Sequence, residues 1–195
     1  MRKLYYLIIS LLFTTNIIAQ EPCYKSLEEA LKEKDCVKCL DLSKQRLREI
    51  PSEVYQFPNL EKLILTKNKI KYLSDTLCTL QHLHYIDLGS NYIDQMPSTL
   101  STLPIDTLIM WDNPIYELPQ DYAQWNLLYL DLRAIQMNKK EQNNIKQLFP
   151  HARIRMDHPC NCGRKNKKHK KEMKIAIYQA DTKDNQTQHN IERYK

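Results

Sequence analysis

Glycine is scarce in this chain. Only two of its 195 residues are glycine, Gly89 and Gly163, where an average chain of this length carries roughly fourteen. Phosphate-binding loops and dinucleotide-binding folds need clustered glycines, because their backbone N–H groups must come close to the ligand. The sequence therefore excludes these nucleotide-binding classes.

Long apolar runs are also lacking, apart from one short stretch at the N-terminus. Residues 4–18 are mostly apolar and follow Arg2 and Lys3, but this stretch is shorter than the ~20 residues that span a bilayer. A positive start, an apolar stretch and a small residue such as Ala19 have the form of a secretory signal. We predict a signal peptide over residues 1–19 and a secreted or periplasmic protein; a membrane anchor that is not cleaved is the alternative.

Charge is distributed unevenly. The net charge is +6, yet residues 164–174 alone hold seven bases and one acid. Residues 20–163 hold 17 bases and 19 acids, so the body of the protein is close to neutral. The net positive charge therefore comes from the two ends of the chain, and the repeats do not form a basic globular domain.

The chain contains an internal repeat of 22 to 23 residues. Five units match the pattern L-x-x-L-x-L-x-x-N-x-L, and they begin at Val37, Leu60, Leu83, Ile105 and Leu127. Apolar residues also recur in register beyond this pattern, as at Ile50, Leu73, Met96 and Leu118. A single unit of this kind cannot bury its own leucines, so the units are expected to stack into a solenoid with one continuous core.

These units resemble leucine-rich repeats of the subclass with a Leu-Pro pair in each unit, as in small exported bacterial proteins, and the resemblance covers residues 37–154. It implies a short, curved α/β solenoid with a parallel sheet on its concave face and irregular or helical turns on its convex face. In that family an asparagine after each strand bonds the backbone of neighbouring turns. Asn68, Asn91 and Asn113 match this position, so the resemblance gives them a structural role.

Capping patterns stand at both ends of the repeats. The run from Ser26 to Glu29 predicts the start of a helix that reaches about Asp35, and the run from Asn138 to Glu141 predicts a second helix that ends at Pro150. Residues 152–156 can add a final strand. We therefore divide the chain into an N-terminal cap (20–36), the repeats (37–137), a C-terminal cap helix and strand (138–158), and a basic, largely disordered tail (159–195).

The residues between the leucines of each strand are predicted to line the concave face, because alternate side chains of a strand point to opposite sides. Three rows result: Cys39, Lys62, Tyr85, Thr107 and Tyr129; Asp41, Ile64, Asp87, Ile109 and Asp131; and Ser43, Thr66, Gly89, Trp111 and Arg133. In the third row Gly89 leaves room for the indole of Trp111, and Arg133 can stack on that indole as a cation–π partner.

The concave face carries our predicted binding site for a protein partner. Its residues are Trp111, Arg133, Tyr85, Tyr129, Asp87, Ile109 and Asp131. Tryptophan, tyrosine and arginine are the residue types most enriched in binding hot spots, and an apolar patch with a polar rim is typical of an interaction surface. We therefore predict a non-catalytic protein–protein interaction module. The alternative is that aspartate recurs because its position is solvated, and that one tryptophan reached the surface by drift.

An enzyme is the weaker hypothesis. Asp87 and Asp131 lie two strands apart, about 9.6 Å, which is the wide limit for an inverting glycosidase pair. A shallow sheet excludes water poorly, however, and we expect His82 and His84 to be solvated at a boundary between units. We predict no catalytic residue, no cofactor, no metal and no small-molecule substrate.

Six cysteines in an exported chain favour disulfides. Cys23 flanks the first cap helix and is predicted to pair with Cys36, which would tether that cap. Cys78 falls on the convex side without an evident partner. Cys160 and Cys162 are expected to form a local disulfide or to remain free thiols, and a soft metal held with neighbouring histidines is the less favoured alternative.

The basic run near the C-terminus supports a second hypothesis. Its cations include Arg164, Lys165, Lys167, Lys168, Lys170 and Lys171. Charge alone could attract an anionic polymer or a lipid surface, with the solenoid as a spacer. Aromatic residues that could stack on bases are absent from the run, so we predict no specific nucleic acid partner. A solvated, flexible extension is the simplest alternative.

Overall fold

The computed structural model describes residues 23–160, and its centre is a parallel sheet of six strands. The strands are Cys39–Asp41 (β1), Lys62–Ile64 (β2), Tyr85–Asp87 (β3), Thr107–Ile109 (β4), Tyr129–Asp131 (β5) and Arg153–Arg155 (β6). They lie side by side in sequence order, each paired with the next. This arrangement confirms the predicted α/β repeat solenoid, because one turn of chain separates each strand from its neighbour.

Short 3-10 helices form the convex side. They span Lys34–Cys36, Ser52–Gln56, Asp75–Thr79, Ser98–Thr102 and Gln120–Gln124. Three of them follow a proline at the N-cap, namely Pro51, Pro97 or Pro119, and the helix of the second repeat has Ser74 there. Proline suits this position because its fixed φ precedes the turn and it has no N–H that needs a partner. The recurring Leu-Pro pair therefore marks where each convex segment begins.

The core is one stack of apolar columns that runs the length of the solenoid. Val54, Leu77, Leu100 and Tyr122 form one column and Phe57, Leu80, Leu103 and Trp125 another, all of them buried. The fourth unit supplies the largest residues of these columns: the rings of Tyr122 and Trp125 stack 3.8 Å apart. Their polar atoms are satisfied, because the Tyr122 hydroxyl donates to the Pro97 carbonyl at 2.7 Å and Trp125 Nε1 donates to Leu100 at 3.3 Å. These aromatic residues widen the core where the C-terminal cap closes it.

The three asparagines bind the turns together as the resemblance implied. Asn91 is 2% exposed; its Oδ1 accepts from the Ile70 amide at 3.0 Å, and its Nδ2 donates to the carbonyls of Leu65 and Leu88. Asn68 and Asn113 repeat this pattern one coil earlier and one coil later. Each asparagine thus satisfies backbone groups of two coils that would otherwise be buried without partners.

Left-handed backbone recurs just before the asparagine position of every repeat. The residues there are Lys44, Lys67, Ser90, Asp112 and Ala134, with φ between 53° and 61°. Such a conformation costs a residue with a Cβ roughly 1–2 kcal/mol. The backbone amides of the first four donate to carbonyls of the following coil, as Lys44 does to Thr66 at 2.9 Å. Stacking therefore holds the chain in a conformation that glycine would adopt more easily.

Two α-helices cap the solenoid. The first (α1, Leu27–Lys32) has Ser26 at its N-cap, as predicted, but it is shorter than expected because the chain tightens into the 3-10 turn before Cys36. The second (α2, Lys139–Leu148) begins with a full capping box, in which Asn138 and Glu141 each accept a backbone N–H of the other. Beyond α2 the chain enters β6, the final strand that the sequence predicts.

The disulfide of the N-terminal cap joins Cys23 to Cys39, so the predicted Cys23–Cys36 pairing is wrong. The segment before α1 lies along β1, and Tyr24 pairs with Leu40 in parallel register. This register places Cys23 beside Cys39, with 4.5 Å between their Cα atoms. Cys36 is an exposed free thiol and Cys78 a half-buried one. Cys160 is disulfide-bonded, which removes the free-thiol alternative for this residue, and Cys162 lies outside the described residues.

Within residues 23–160 no helix is long and apolar enough to cross a membrane. The predicted signal peptide over residues 1–19 and the basic run from Arg164 to Lys174 lie outside the described part of the chain.

Candidate functional site: the concave face

The strand register forms the predicted rows of side chains. Tyr85, Thr107 and Tyr129 are partners across β3, β4 and β5, and Asp87, Ile109 and Asp131 are partners in the next row. Four of the predicted site residues, Tyr85, Ile109, Trp111 and Tyr129, are half-buried and lie close together. They form an apolar and aromatic area in the middle of the concave face, which we call the aromatic patch.

Trp111 lies directly over Gly89 of the neighbouring coil. A Cβ added at Gly89 would overlap atoms Nε1, Cε2 and Cδ1 of the indole. The predicted space for the ring is therefore confirmed, and it exists only because residue 89 has no side chain. The indole lies across the adjacent coil instead of standing away from the sheet, and Trp111 is half-buried there.

Arg133 bonds Asp131 instead of stacking on Trp111, which corrects the predicted cation–π pair. Its Nε lies 2.9 and 3.0 Å from the two carboxylate oxygens, and a terminal nitrogen lies 2.6 Å from Oδ2. Arg133 lies two residues after Asp131, in the turn that follows β5, and its backbone amide also donates to Asp131 Oδ1 at 3.1 Å. A bidentate bond between two charged groups is stronger than an exposed cation–π contact. The guanidinium is therefore fixed in place, with 46% of its side chain exposed.

The same bond alters the acidity of Asp131. Burial acts to raise the pKa of this carboxyl, but the hydrogen bonds and charge of Arg133, together with the charge of Arg155, outweigh it and hold the pKa below the ordinary value. The Asp131 side chain is only 3% exposed. It is therefore a buried anchor for Arg133 and not the polar rim that the sequence predicts.

Asp87 occupies the equivalent position of β3 in a different environment. Gly89 stands where Arg133 stands in the fifth repeat, so Asp87 has no guanidinium beside it. Burial raises the pKa of Asp87, with further contributions from the charges of Asp131 and Asp41, against opposing hydrogen bonds from Gly89 and Thr66. Because Asp131 is held by Arg133, the two aspartates do not form the paired carboxylates that a glycosidase needs.

The recurring aspartate has a structural cause that the sequence analysis missed. Asp41, Asp87 and Asp131 each accept a hydrogen bond from the backbone amide two residues later, at 3.0, 2.9 and 3.1 Å. This local bond fixes the chain as it leaves the strand. The suggestion that aspartate recurs only because the position is solvated is therefore wrong. The recurrence of aspartate two residues before the turn was the sequence signal that could have predicted this hydrogen bond.

The two tyrosines of the aromatic patch contact polar neighbours. The Lys62 ammonium lies 4.3 Å from the centre of the Tyr85 ring, and the Tyr129 hydroxyl donates to Asp131 Oδ2 at 3.5 Å. Burial raises the pKa of Tyr85, with further contributions from Asp87 and Tyr129. The Tyr85 phenol therefore stays neutral near pH 7, and both tyrosines present ring faces together with a hydroxyl.

Two arginines of β6 extend the site and were missed by the sequence analysis. Arg153 pairs with Tyr129 and Arg155 with Asp131 in the sheet register, and both are exposed. The predicted final strand alternates in the same way as the other strands, so continuing the rows of Tyr129 and Asp131 onto it would have predicted these two arginines. With Arg133 they make the C-terminal end of the concave face basic.

His84 is not simply solvated, as the sequence analysis expects. It is half exposed, and its ring nitrogens lie 3.8 Å from a Glu61 oxygen and 3.3 Å from an Asp106 oxygen. Glu61 also lies 3.5 Å from the Lys38 ammonium. A row of alternating charges therefore borders the start of the strands, while His82 is exposed as expected.

The parallel ladder, the buried asparagines and the convex 3-10 helices define a leucine-rich repeat solenoid. Residues 37–93 match the family described as "Leucine rich repeat". The chain is 38% identical over 93 residues to mouse leucine-rich repeat and calponin homology domain-containing protein 1. The matched region covers 47% of this chain and 13% of the mouse protein. The chain is also 33% identical over 93 residues to human DISP complex protein LRCH3, and this match covers 12% of the human protein. This chain thus spans only a small part of the length of these curated relatives.

Solved structures show the same fold. A leucine-rich repeat protein of Leptospira interrogans superposes with a TM-score of 0.61 and 27% identity, over 68% of this chain and 34% of that one. Internalin C2 of Listeria monocytogenes superposes with a TM-score of 0.54 and 23% identity, over 68% of this chain and 57% of that one. The second likeness concerns the fold alone.

Proposed function

We propose that this protein is a non-catalytic interaction module that binds a protein partner on its concave face. Leucine-rich repeats are generally protein-interaction modules, which the family match supports at the level of the class. The observation that carries the finer proposal is the aromatic patch, above all the indole of Trp111 lying over Gly89. A repeat position that carries a half-buried tryptophan on a solvent-facing sheet is well suited to be a binding anchor.

Arg133, Arg153 and Arg155 supply the polar side of the proposed site. The Arg133 guanidinium is held by Asp131 in a fixed orientation, so a partner need not immobilise it, which lowers the entropic cost of binding. Asp87 lies on the opposite side of the patch. A partner with an apolar side chain for the patch and carboxylates for the arginines fits this arrangement.

We further propose that the protein works outside the cytoplasm, as a secreted or periplasmic protein like the small exported bacterial proteins of the Leu-Pro subclass. The support is the form of residues 1–19 and the Cys23–Cys39 disulfide, since disulfides persist in oxidising compartments. A membrane anchor over the same N-terminal residues is the alternative. Mass analysis of the mature N-terminus tests the proposal: a start near Gln20 supports it, and an intact Met1 in the membrane fraction contradicts it.

Partner capture by matched variants tests the concave-face proposal. Full-length protein, its Trp111→Ala variant and its Tyr72→Ala variant would be immobilised and exposed to medium and envelope extracts. Tyr72 is the matched control, because it is an aromatic residue 66% exposed outside the concave rows. We expect a protein that is retained by the native chain and by Tyr72→Ala and lost with Trp111→Ala. Equal retention by all three would show that the concave face is not the binding surface.

The basic run from Arg164 to Lys174 supports a second candidate, binding of an anionic polymer or lipid surface through the tail. Its support is seven bases against one acid. Deletion of residues 164–195 separates the two candidates. Loss of capture after that deletion, with capture unaffected by Trp111→Ala, favours the tail.

A further inference from the structure

Six cations lie together on the turns that leave the first two strands. They are Lys44, Arg46 and Arg48 in the first coil and Lys67, Lys69 and Lys71 in the second, all exposed or half-buried. Each residue of the first set is 23 positions before its counterpart in the second. No acidic residue occurs within 44–48 or 67–71. We call this set the basic stripe.

The backbone holds the two halves of the basic stripe side by side. The Lys44 amide donates to Thr66 at 2.9 Å, and the Lys69 amide donates to Leu47 at 2.7 Å. Asn68 Oδ1 also accepts from the amides of Gln45 and Leu47, both at 3.0 Å. Adjacent coils of this kind are about 4.8 Å apart. The cations therefore stand on two neighbouring turns of a rigid support, three along each turn, and these two sets are the two lines of the basic stripe.

Among residues 23–160, five of the six cations of the basic stripe are in no ion pair, and the sixth, Lys69, has an interaction of its own. In the part of the chain that the structure describes, no ion pair involves Lys44, Arg46, Arg48, Lys67 or Lys71. The Lys71 ammonium lies over the Tyr72 ring, 5.0 Å from its centre. Cations placed this closely repel one another, so an anion that contacts several of them at once is stabilised.

The basic stripe ends sharply at the third coil. The equivalent positions carry Ser90, Tyr92 and Asp94 in the third coil and Asp112, Pro114 and Tyr116 in the fourth. A flat lipid surface that covered this flank would also approach the half-buried Asp112, whose charge would be repelled, whereas Asp94 is buried. A narrow, linear polyanion can instead follow the two lines of cations across the solenoid without reaching the acidic coils.

The stripe also lacks stacking platforms for bases. Residues 44–48 and 67–71 contain no aromatic side chain, and one face of the neighbouring Tyr72 ring is covered by Lys71. Binding of single-stranded nucleic acid normally combines cations with aromatic stacking. We propose that the basic stripe binds a linear anionic polysaccharide, whose carboxylate or sulfate groups contact both lines of cations. This function is separate from protein capture on the concave face.

Three variants with the same change in charge test the proposal in the full-length protein. The stripe variant combines Lys44→Gln, Arg48→Gln, Lys67→Gln and Lys71→Gln. The control variant combines Lys32→Gln, Lys139→Gln, Lys140→Gln and Lys146→Gln, four exposed lysines on the cap helices. A second control replaces Lys165, Lys167, Lys168 and Lys170 of the tail by glutamine. Circular dichroism melting checks that all three variants remain folded.

Binding is measured by titration calorimetry with polygalacturonate, a carboxylated polysaccharide, and heparin, a sulfated one, over a series of salt concentrations. We expect the stripe variant to lose about tenfold or more in affinity. The slope of log K against log salt concentration should become shallower by about 3, since each of the four lost contacts contributes roughly 0.7 to that slope. Both controls should stay within about twofold of the native chain.

Three results would overturn the proposal. Equal losses in the stripe variant and the cap-helix control would mean that only net charge matters. A loss confined to the tail control would place polyanion binding in the tail. Tighter binding of phosphatidylglycerol vesicles or of oligo-dT through the same four residues would identify a lipid or nucleic acid partner instead. Trp111→Ala should leave polysaccharide binding unchanged, so failure here is distinct from failure of the concave-face proposal.

Discussion

The indole of Trp111 occupies the space that a side chain at Gly89 would fill. The two residues belong to neighbouring coils and to one row of the concave face. The position of Trp111 therefore depends on the absence of a side chain at Gly89. Adding a single methyl group at residue 89 tests that dependence.

Gly89→Ala is expected to weaken partner binding while every aromatic side chain is kept. The added methyl forces the indole away from the sheet, because it would overlap the ring. The backbone at residue 89 accepts alanine without strain, since its φ is negative. We expect affinity to fall by about tenfold or more, as for the loss of a hot spot. Free energy of unfolding should change by no more than about 1–3 kcal/mol, the range for overpacking.

Ser90→Ala serves as the control for the indole position, since it alters the adjacent residue without adding an atom beside Trp111; it removes only the hydrogen bond from Ser90 to Asp112. Titration of the captured partner and urea unfolding measure the two effects. Unchanged affinity in a Gly89→Ala protein whose indole fluorescence has shifted would remove Trp111 from the binding surface.

Arg133→Gln is expected to destabilise the fold at neutral pH, because the buried Asp131 carboxylate would lose its charged partner. A hydrogen bond to a charged group contributes about 1.5–3 kcal/mol. The pKa of Asp131 is lowered in the native fold, so this stabilisation is complete above the ordinary value of 3.8 and is lost as pH falls through the lower folded value. Native and variant curves should therefore converge in acid.

Urea unfolding at a series of pH values measures the effect of Arg133→Gln. Arg153→Gln is the matched control on the same face; as an exposed arginine it should alter stability by no more than about 0.5 kcal/mol. A constant difference between Arg133→Gln and the native chain at all pH values would contradict the role of the Asp131 charge.

Asp87→Asn should have the opposite effect to Asp131→Asn. The amide keeps an oxygen for the Gly89 N–H but removes a partly buried charge. Since the pKa of Asp87 is raised in the fold, its ionisation costs stability, and this cost develops as pH rises from 3.8 through the raised folded value. Asp87→Asn should therefore be more stable than the native chain near pH 7 and equal to it in acid.

Asp131→Asn is the paired measurement for Asp87→Asn and should lower stability near pH 7, because it breaks the bond to Arg133. Thermal melting of both variants across pH gives the sign directly. If the two substitutions shift the melting temperature in the same direction near pH 7, the contrast between their environments is wrong.

Asn91→Ala should be among the most damaging single changes. It leaves the Ile70 amide without its side-chain partner inside the core and removes one of the two asparagine donors from each of the Leu65 and Leu88 carbonyls. A buried group left unsatisfied costs about 1–3 kcal/mol and each further lost bond about 0.5–1.5 kcal/mol, so we expect a loss of about 2–5 kcal/mol. Asn59→Ala, which removes one exposed bond to the Asp35 carbonyl, should cost less than about 1 kcal/mol. Similar losses for both variants in urea unfolding would contradict the ladder role.

The sequence was sufficient to predict what depends on backbone periodicity. The rows through Tyr85 and Asp87, the asparagine ladder and the capping box at Asn138 all follow from positions that repeat every 22 to 23 residues. A strand fixes the side of each residue, and stacking fixes its neighbours, so the aromatic patch was predicted residue by residue.

Choices between competing partners were not predictable in the same way. Either Trp111 or Asp131 lies within reach of the Arg133 side chain. The sequence does not specify which rotamer Arg133 adopts, and the rotamer in the structure bonds the carboxylate. Cys23 pairs with Cys39 because the segment before α1 lies along β1, a register that no repeat specifies. The cations of the basic stripe are visible in the sequence as two alternating runs, but their common flank depends on turns that the strand pattern does not describe.

The Cys23–Cys39 bond has a consequence for self-association. It fixes the segment around Tyr24 along β1, whose outer edge would otherwise present unpaired amides and carbonyls, a known template for adding a foreign strand. Once that bond is reduced, the two backbone hydrogen bonds between Tyr24 and β1 become the main restraint on the segment. Aggregation resistance of this solenoid is thus tied to the redox state of its surroundings.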